Sequence, residues 1–233
     1  MKFFRRSLIA LGVAATLPTI VFAAVGVFYL LHIERERVET ATLARTATIM
    51  ALVDARLQRD LAVLTVLSSF ASPDDDPSWS GFQERAARVL NSNPAWISLA
   101  AIDTSNGREV LRLPRQSPDA PQPGGSSHAM APPNVTRSGL GQVGAVERGS
   151  EPLIWIYAPV WRDGSVDYVL AAGIRTEVFQ RILLNHAPRR TTSGIVDRSG
   201  NFIARSLHYE ERVGTPATKY VRAAIKEGAR GFY

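Results

Sequence analysis

Four aromatic residues are the side chains whose types and spacing best suit contact with a small molecule. Trp155, Tyr157 and Trp161 share one parity along an apolar run, and Tyr168 follows across Arg162-Asp163-Gly164-Ser165. Residues two apart on an extended strand share a face. The first three would therefore form a wall with indole N–H and phenol O–H tips. A small-molecule pocket sets a few such polar groups on an apolar lining. Aromatic residues packed in a sheet core show the same pattern, so the spacing leaves both readings open. Arg137 and His128, in the stretch before this run, are further candidates to meet an anionic group. The formal net charge of +6 favours a carboxylate over an amine.

Other chemistry finds little support. Gly139-x-Gly141-x-x-Gly144 matches a dinucleotide fingerprint in letters only. That fingerprint needs a strand before it and a helix N-terminus after it. Here Pro132-Pro133-Asn134 precedes and a strand pattern follows, so the glycines read as a lead into a strand and no cofactor is expected. His32, His128, His186 and His208 lack metal-ligand spacing. Asp74-Asp75-Asp76 lies between prolines and reads as a solvated turn. With no cysteine there is no thiolate, disulfide or Cys-ligated zinc. No Gly-x-Ser-x-Gly elbow occurs. A chain without a catalytic constellation is expected not to be an enzyme. Basic residues are scattered, without a face that alternates with aromatics, so no nucleic-acid partner is expected.

The elements that must position these residues begin with an anchor. Ser7 to Leu31 has no charged residue, and Lys2, Arg5 and Arg6 precede it. About 20 apolar residues span a bilayer as a helix, and flanking positive charge stays cytoplasmic. Residues 1–6 are therefore expected inside, 7–31 in the lipid bilayer, and the remainder outside. A cleaved signal peptide ending near Ala23 is the competing reading, but the apolar stretch outruns an ordinary signal core. From 33 to 71 there is no Gly or Pro, and Leu43, Met50, Leu57, Leu64 and Ala71 recur every seven residues. This predicts a long stalk helix whose seam serves a homodimer, the following domain, or both.

A helix from Ser80 is predicted next, with Ser80 and Gln83 as a capping box. Strands are expected at Trp96–Asp103, Arg108–Leu113, Gly141–Glu147, Leu153–Trp161 and Val166–Ile174, with Pro114–Pro133 as a loop. Glu177–Asn185 reads as a short helix. Ile102-Asp103-Thr104-Ser105-Asn106-Gly107 and Val196-Asp197-Arg198-Ser199-Gly200-Asn201 form a weak repeat of strand, Asp-x-Ser turn and strand. Two copies of one module are expected, at 78–186 and 187–233. In the second, Thr215-Pro216 is expected to open a helix and Gly231-Phe232-Tyr233 to begin a strand. That copy then lacks most of its sheet, which predicts a piece of a longer protein.

This layout resembles the double Cache sensor regions of bacterial transmembrane receptors, built from tandem PAS-like modules. The hairpin from Trp155-Ile156-Tyr157-Ala158-Pro159-Val160 through Asp163-Gly164 to Tyr168-Val169-Leu170-Ala171-Ala172-Gly173-Ile174 is similar to the close of a membrane-distal module. Ser193-Gly194-Ile195-Val196-Asp197-Arg198-Ser199-Gly200 is similar to the start of a membrane-proximal one. The resemblance implies an α+β fold with antiparallel sheets, the second module incomplete. It implies a sensor in a bacterial inner membrane, most like a histidine kinase, with a small-molecule ligand and a homodimeric parent. The output would alternatively be that of a chemoreceptor or a cyclic-di-GMP enzyme. A ligand-free scaffold and an anchored hydrolase are the competing classes. Amine-binding members of the family carry a Tyr-x-x-x-Arg-x-Trp-Tyr run and an acid near the end of the last distal strand. Here Glu84-Arg85-Ala86-Ala87-Arg88 and Ala172-Gly173-Ile174 stand at the matching places, so amine binding in that manner is not expected. In a bacterial protein the glycosylation match Asn134-Val135-Thr136 carries no meaning.

Overall fold

The computed structural model describes residues 2–71, 79–115, 132–149, 151–188 and 191–228; before residue 41 it describes side chains only for Phe22 and residues 25–29. The chain divides into a unit ending at Thr46 and one beginning at Ala47. Helix α1 covers Lys2–Ser68. The expected span 7–31 is helical in backbone, but most of its side chains lie outside the described residues. Among the described residues, no helix is long and apolar enough to cross a membrane.

The second unit carries α2 (Ser80–Ser92), β1 (Trp96–Asp103), β2 (Glu109–Pro114), α3 (Pro133–Ser138), β3 (Gln142–Glu147), β4 (Leu153–Arg162), β5 (Ser165–Arg175) and α4 (Glu177–His186). The five strands form one antiparallel sheet in the order β2-β1-β5-β4-β3. The β4–β5 turn fits its sequence: Asp163 and Gly164 both have positive φ, 46° and 84°, as a tight primed hairpin turn requires. A smaller sheet, β6 (Gly194–Val196) with β7 (Phe202–Arg205), follows with α5 (Tyr209–Arg212) and α6 (Lys219–Lys226). The architecture is α+β with antiparallel sheets, as expected.

One sheet face packs on α1 and α2. Leu64 and Leu67 of α1 and Phe82, Ala86 and Leu90 of α2 meet Ala101, Ile154, Ile156, Ala158, Leu170 and Ala172. The same core continues through Phe179 and Leu183 of α4 to Ile195, Ile203 and Val213. The seven-residue stripe divides. Leu64 and Ala71 are buried, while Leu43 and Met50 are each 46% exposed. The buried face of α1 runs Ile49, Val53, Asp60, Leu64, Leu67 and Ser68, the mixed three- and four-residue spacing of a straight helix on a sheet. Asp60 tolerates burial because Arg56 Nε donates to it at 2.6 Å.

Three local expectations are corrected. Trp79, not Ser80, is the N-cap of α2; it sits in the left-handed region (φ 58°) and its own side chain makes no capping hydrogen bond. Its indole is buried in edge-to-face contact with Phe82 and Tyr168, so packing overrides capping there. The N-cap of α6 is Thr218, which accepts from the Val221 N–H, rather than Thr215; Pro216 instead bridges to Asn201. A helix, α3, extends from the end of the expected loop. Asp74-Asp75-Asp76 and Gly231-Phe232-Tyr233 lie outside the described residues.

Candidate functional site

The opposite sheet face has a different character. Its floor is built of small residues: Ala100 of β1 pairs with Ala171 of β5, which pairs with Tyr157 of β4, and Trp155 pairs with Gly173. Around that floor stand Ile102, Val169, Leu153, Trp155 and Tyr157, and Val135 of α3 closes over them, fully buried. Strands β2 and β3 lie at opposite edges of the sheet. Helix α3, between them in sequence, packs on this face because α1 and α2 occupy the other.

Polar groups converge on this apolar ground. Arg112 is the partner of Ala100, and Glu109 of Ile102, so cross-strand pairing puts both on the face just described. Arg112 Nε and Nη2 donate to the two Glu109 carboxylate oxygens at 2.7 and 2.6 Å. The Glu109 carboxylate raises the Arg112 pKa further, with a smaller contribution from Glu147. From β3, Glu147 accepts the Trp155 indole N–H at 2.7 Å. The Tyr157 phenol is pushed up to about 12, first by burial and then by the Glu147 charge. Two carboxylates, one guanidinium, an indole and a phenol thus share one sheet face, with a net charge of −1 for the three ionised groups.

The wall read from the sequence is placed in parts. Trp155 and Tyr157 lie on the α3 face, both more than nine-tenths buried. Trp161 follows a bulge in the β4–β5 register and is exposed; its ring lies on Gly139 at the end of α3, where a Cβ would come within 2.2 Å of it. Tyr168 pairs with Val160 and turns to the α1–α2 core against Trp79, away from the other three. Arg137 is on the exposed side of α3. His128 lies outside the described residues. Spacing missed Glu109, Arg112 and Glu147, since only strand register brings residues 109, 112 and 147 onto one face. Alternation within β2 would even part Glu109 from Arg112, which are three residues apart; the shift in register between Ala101 and Ile102 brings both to one face.

The glycine motif has a structural explanation. Gly139 ends α3 in the left-handed conformation, φ 63°, the usual role of a C-terminal glycine. A Cβ on Gly141 would meet Leu61 at 2.9 Å, and one on Gly144 would meet the Tyr157 ring at 2.9 Å. The helix precedes the glycines, so its C-terminus faces them and no phosphate site arises. A Cβ on Gly173 would meet Ser98 Oγ at 3.2 Å and lie in ordinary contact with the Trp155 ring, 3.4 Å from Cζ3.

The segment around the smaller sheet meets the large sheet at the end of β3. Asp197, buried, accepts the N–H groups of Ser199 and Asn201 in its own turn at 2.9 Å each, and the buried Val146 N–H at 3.0 Å. Gly214 packs against the backbone and Cβ of Arg148. Val146 and Arg148 flank Glu147, so the residue that holds Trp155 sits between two contacts to the segment that carries the smaller sheet. Gln180 of α4 adds a reciprocal pair of hydrogen bonds with Arg205. Thr176 meets the Tyr209 phenol at 2.6 Å.

No protein-family model matches this chain, and no curated protein matches it. Solved structures do. The extracellular domain of mmHK1S-Z2, a candidate histidine kinase, superposes with a TM-score of 0.56 at 13% identity, over 77% of this chain and 80% of that one. The ligand-binding domain of the Pseudomonas aeruginosa PAO1 amino acid chemoreceptor PctB, in complex with L-Arg, gives 0.56 at 14% identity, over 77% and 69%. The ligand-binding domain of the Campylobacter jejuni chemoreceptor Tlp3, in complex with L-valine, gives 0.53 at 11% identity, over 81% and 78%. The described residues thus take the Cache-type, PAS-like fold of extracellular sensory domains of bacterial receptors.

Proposed function

We propose that this chain is the extracytoplasmic sensing region of a transmembrane receptor, and that it binds a small zwitterionic solute on the α3 face of its large sheet. One observation carries the reading: Glu109, Arg112 and Glu147 converge with Trp155 and Tyr157 on a floor of Ala and Gly. A carboxylate is matched by Arg112 and a cationic group by Glu147, over a floor of small apolar residues. The chemoreceptors PctB and Tlp3 are described with amino acids bound, which supports this solute class. The acid here comes from β3 rather than from the end of β5. The chain itself has no catalytic role in this reading, and a kinase or a chemoreceptor output fits equally.

In the same proposal Ser7–Leu31 is a retained membrane span with residues 1–6 cytoplasmic, residues 78–186 are the membrane-distal module, and residues 187–233 begin the proximal one. The parent is a homodimer that uses the exposed Leu43–Met50 side of α1. Introducing Cys at Met50 is expected to give a symmetric disulfide on oxidation; its absence in folded protein counts against the dimer. A reporter fused after Arg37 is expected to work only as an extracytoplasmic type.

The decisive experiment is a thermal-shift series on the full chain in lipid nanodiscs, with amino acids, simple carboxylates and simple amines. A ligand of the native state at one hundred times its Kd stabilises by about 2.7 kcal/mol, a shift of several degrees. Stabilisation by an amino acid, lost in Glu147→Gln at little change in unliganded stability, is expected. No stabilisation by any of the three classes overturns the reading.

A further inference from the structure

A second concave surface lies away from the sheet face, between α1 and α4. It is a groove of about 420 Å³. Leu52 and Ala55 of α1 and Ile182 of α4 give it an apolar floor, and Arg56, Arg59 and Arg181 stand around it. No carboxylate lines it. Arg56 is already neutralised and held in place by the buried Asp60 at 2.6 Å. Among the described residues, Arg59 and Arg181 have no acidic partner within ion-pair distance. Two uncompensated guanidiniums from two different helices therefore face one apolar trough.

We propose that this groove is a second ligand site, specific for an organic carboxylate with a compact aromatic or alicyclic body. The volume lies in the range of small-molecule pockets, and the pattern of apolar lining with a few placed polar groups is theirs as well. An inorganic anion would leave the floor of Leu52, Ala55 and Ile182 in water. A purely apolar body would leave both guanidiniums unused. A planar carboxylate meets the fork geometry of Arg from either helix, while its body covers the floor. The position adds a consequence: α4 also holds the second module through Gln180 and Arg205, so a ligand clamped between α1 and α4 ties the stalk helix to that module. This site shares no residue with the α3 face and stands independently of the zwitterion reading.

The test is calorimetric titration of the full chain in nanodiscs with naphthoate, inorganic phosphate and naphthylmethylammonium, against empty nanodiscs as blank. Saturable binding of naphthoate alone is expected. Arg59→Gln and Arg181→Gln are each expected to weaken it by about tenfold or more. Both side chains are exposed and unpartnered, so the unfolding midpoint should not move. Ala55→Trp, which fills the floor, is expected to abolish binding, while Glu147→Gln leaves it unchanged. Absence of naphthoate binding overturns the proposal. So does equal binding of phosphate or of the ammonium compound, or naphthoate affinity that survives both arginine substitutions.

Discussion

Asp103 and Asp197 occupy the same place in two copies of one turn, and their different surroundings allow a sharp test. Asp103 accepts from the Ser105 N–H at 2.8 Å, the Ser105 hydroxyl at 2.6 Å and the Asn106 amide at 3.0 Å. Those donors are exposed, so water replaces the carboxylate if it is removed. Asp197 serves two turn N–H groups and also the buried Val146 N–H. Removing its carboxylate strands that N–H, at a cost of about 1–3 kcal/mol, and loses two turn bonds at about 0.5–1.5 kcal/mol each. Asp197→Ala should therefore cost about 2–6 kcal/mol, and Asp103→Ala about 1 kcal/mol or less. For a unit of this size the first is a fall in midpoint of roughly 10 °C. Asp197→Asn should land between the two, because its amide carbonyl keeps the turn bonds but its NH2 faces the Val146 N–H. Denaturant unfolding of the full chain in nanodiscs gives the free energies, and amide hydrogen exchange at Val146 gives the local effect. Equal losses for Asp103→Ala and Asp197→Ala, or unchanged Val146 protection in Asp197→Ala, refute the claim that this bond ties the Asp197 turn to the large sheet.

Further outcomes follow from burial and charge. The Tyr157 phenol, pushed up to about 12, keeps its proton in the folded state where an unfolded phenol ionises near pH 10. Stability present below about pH 10 should fall by about 2–3 kcal/mol as pH rises toward 12, and Tyr157→Phe should flatten that loss in pH-dependent denaturation curves. Leu64→Ala, in the core, should cost about 2–5 kcal/mol, whereas Met50→Ala should leave chain stability within about 0.5 kcal/mol; similar midpoints for the two contradict the divided stripe. Gly139→Ala should lower stability by more than the ordinary 1 kcal/mol or so of a lost helix C-cap glycine, because its Cβ meets the Trp161 ring; Trp161→Ala in the same chain should return part of the loss.

Local chemistry alone settled much of this protein. The β4–β5 hairpin was legible because Asp163-Gly164 sits between two apolar runs, and a turn with two positive φ angles admits few other residues. The Asp-x-Ser turns announced themselves because an Asp side chain caps its own turn whatever surrounds it. The strand limits and the short amphipathic helix at Glu177 followed from periodicity, which depends on one buried face. Strand register was not legible, since it is set by contacts between segments far apart in sequence. It decides that Tyr168 faces α1 and α2 while Trp155 and Tyr157 face α3, and it gathers Glu109, Arg112 and Glu147 into one group. The seven-residue stripe could not be divided from sequence for the same reason: Leu43, Met50, Leu57 and Leu64 are alike in sequence, but only the sheet beneath α1 determines which of them is buried. The glycines of Gly139-x-Gly141-x-x-Gly144 make the point most clearly. Their spacing matches a phosphate loop, yet each is small because a different neighbour, Trp161, Leu61 or Tyr157, fills the space beside it, and those neighbours are assembled only by the tertiary fold.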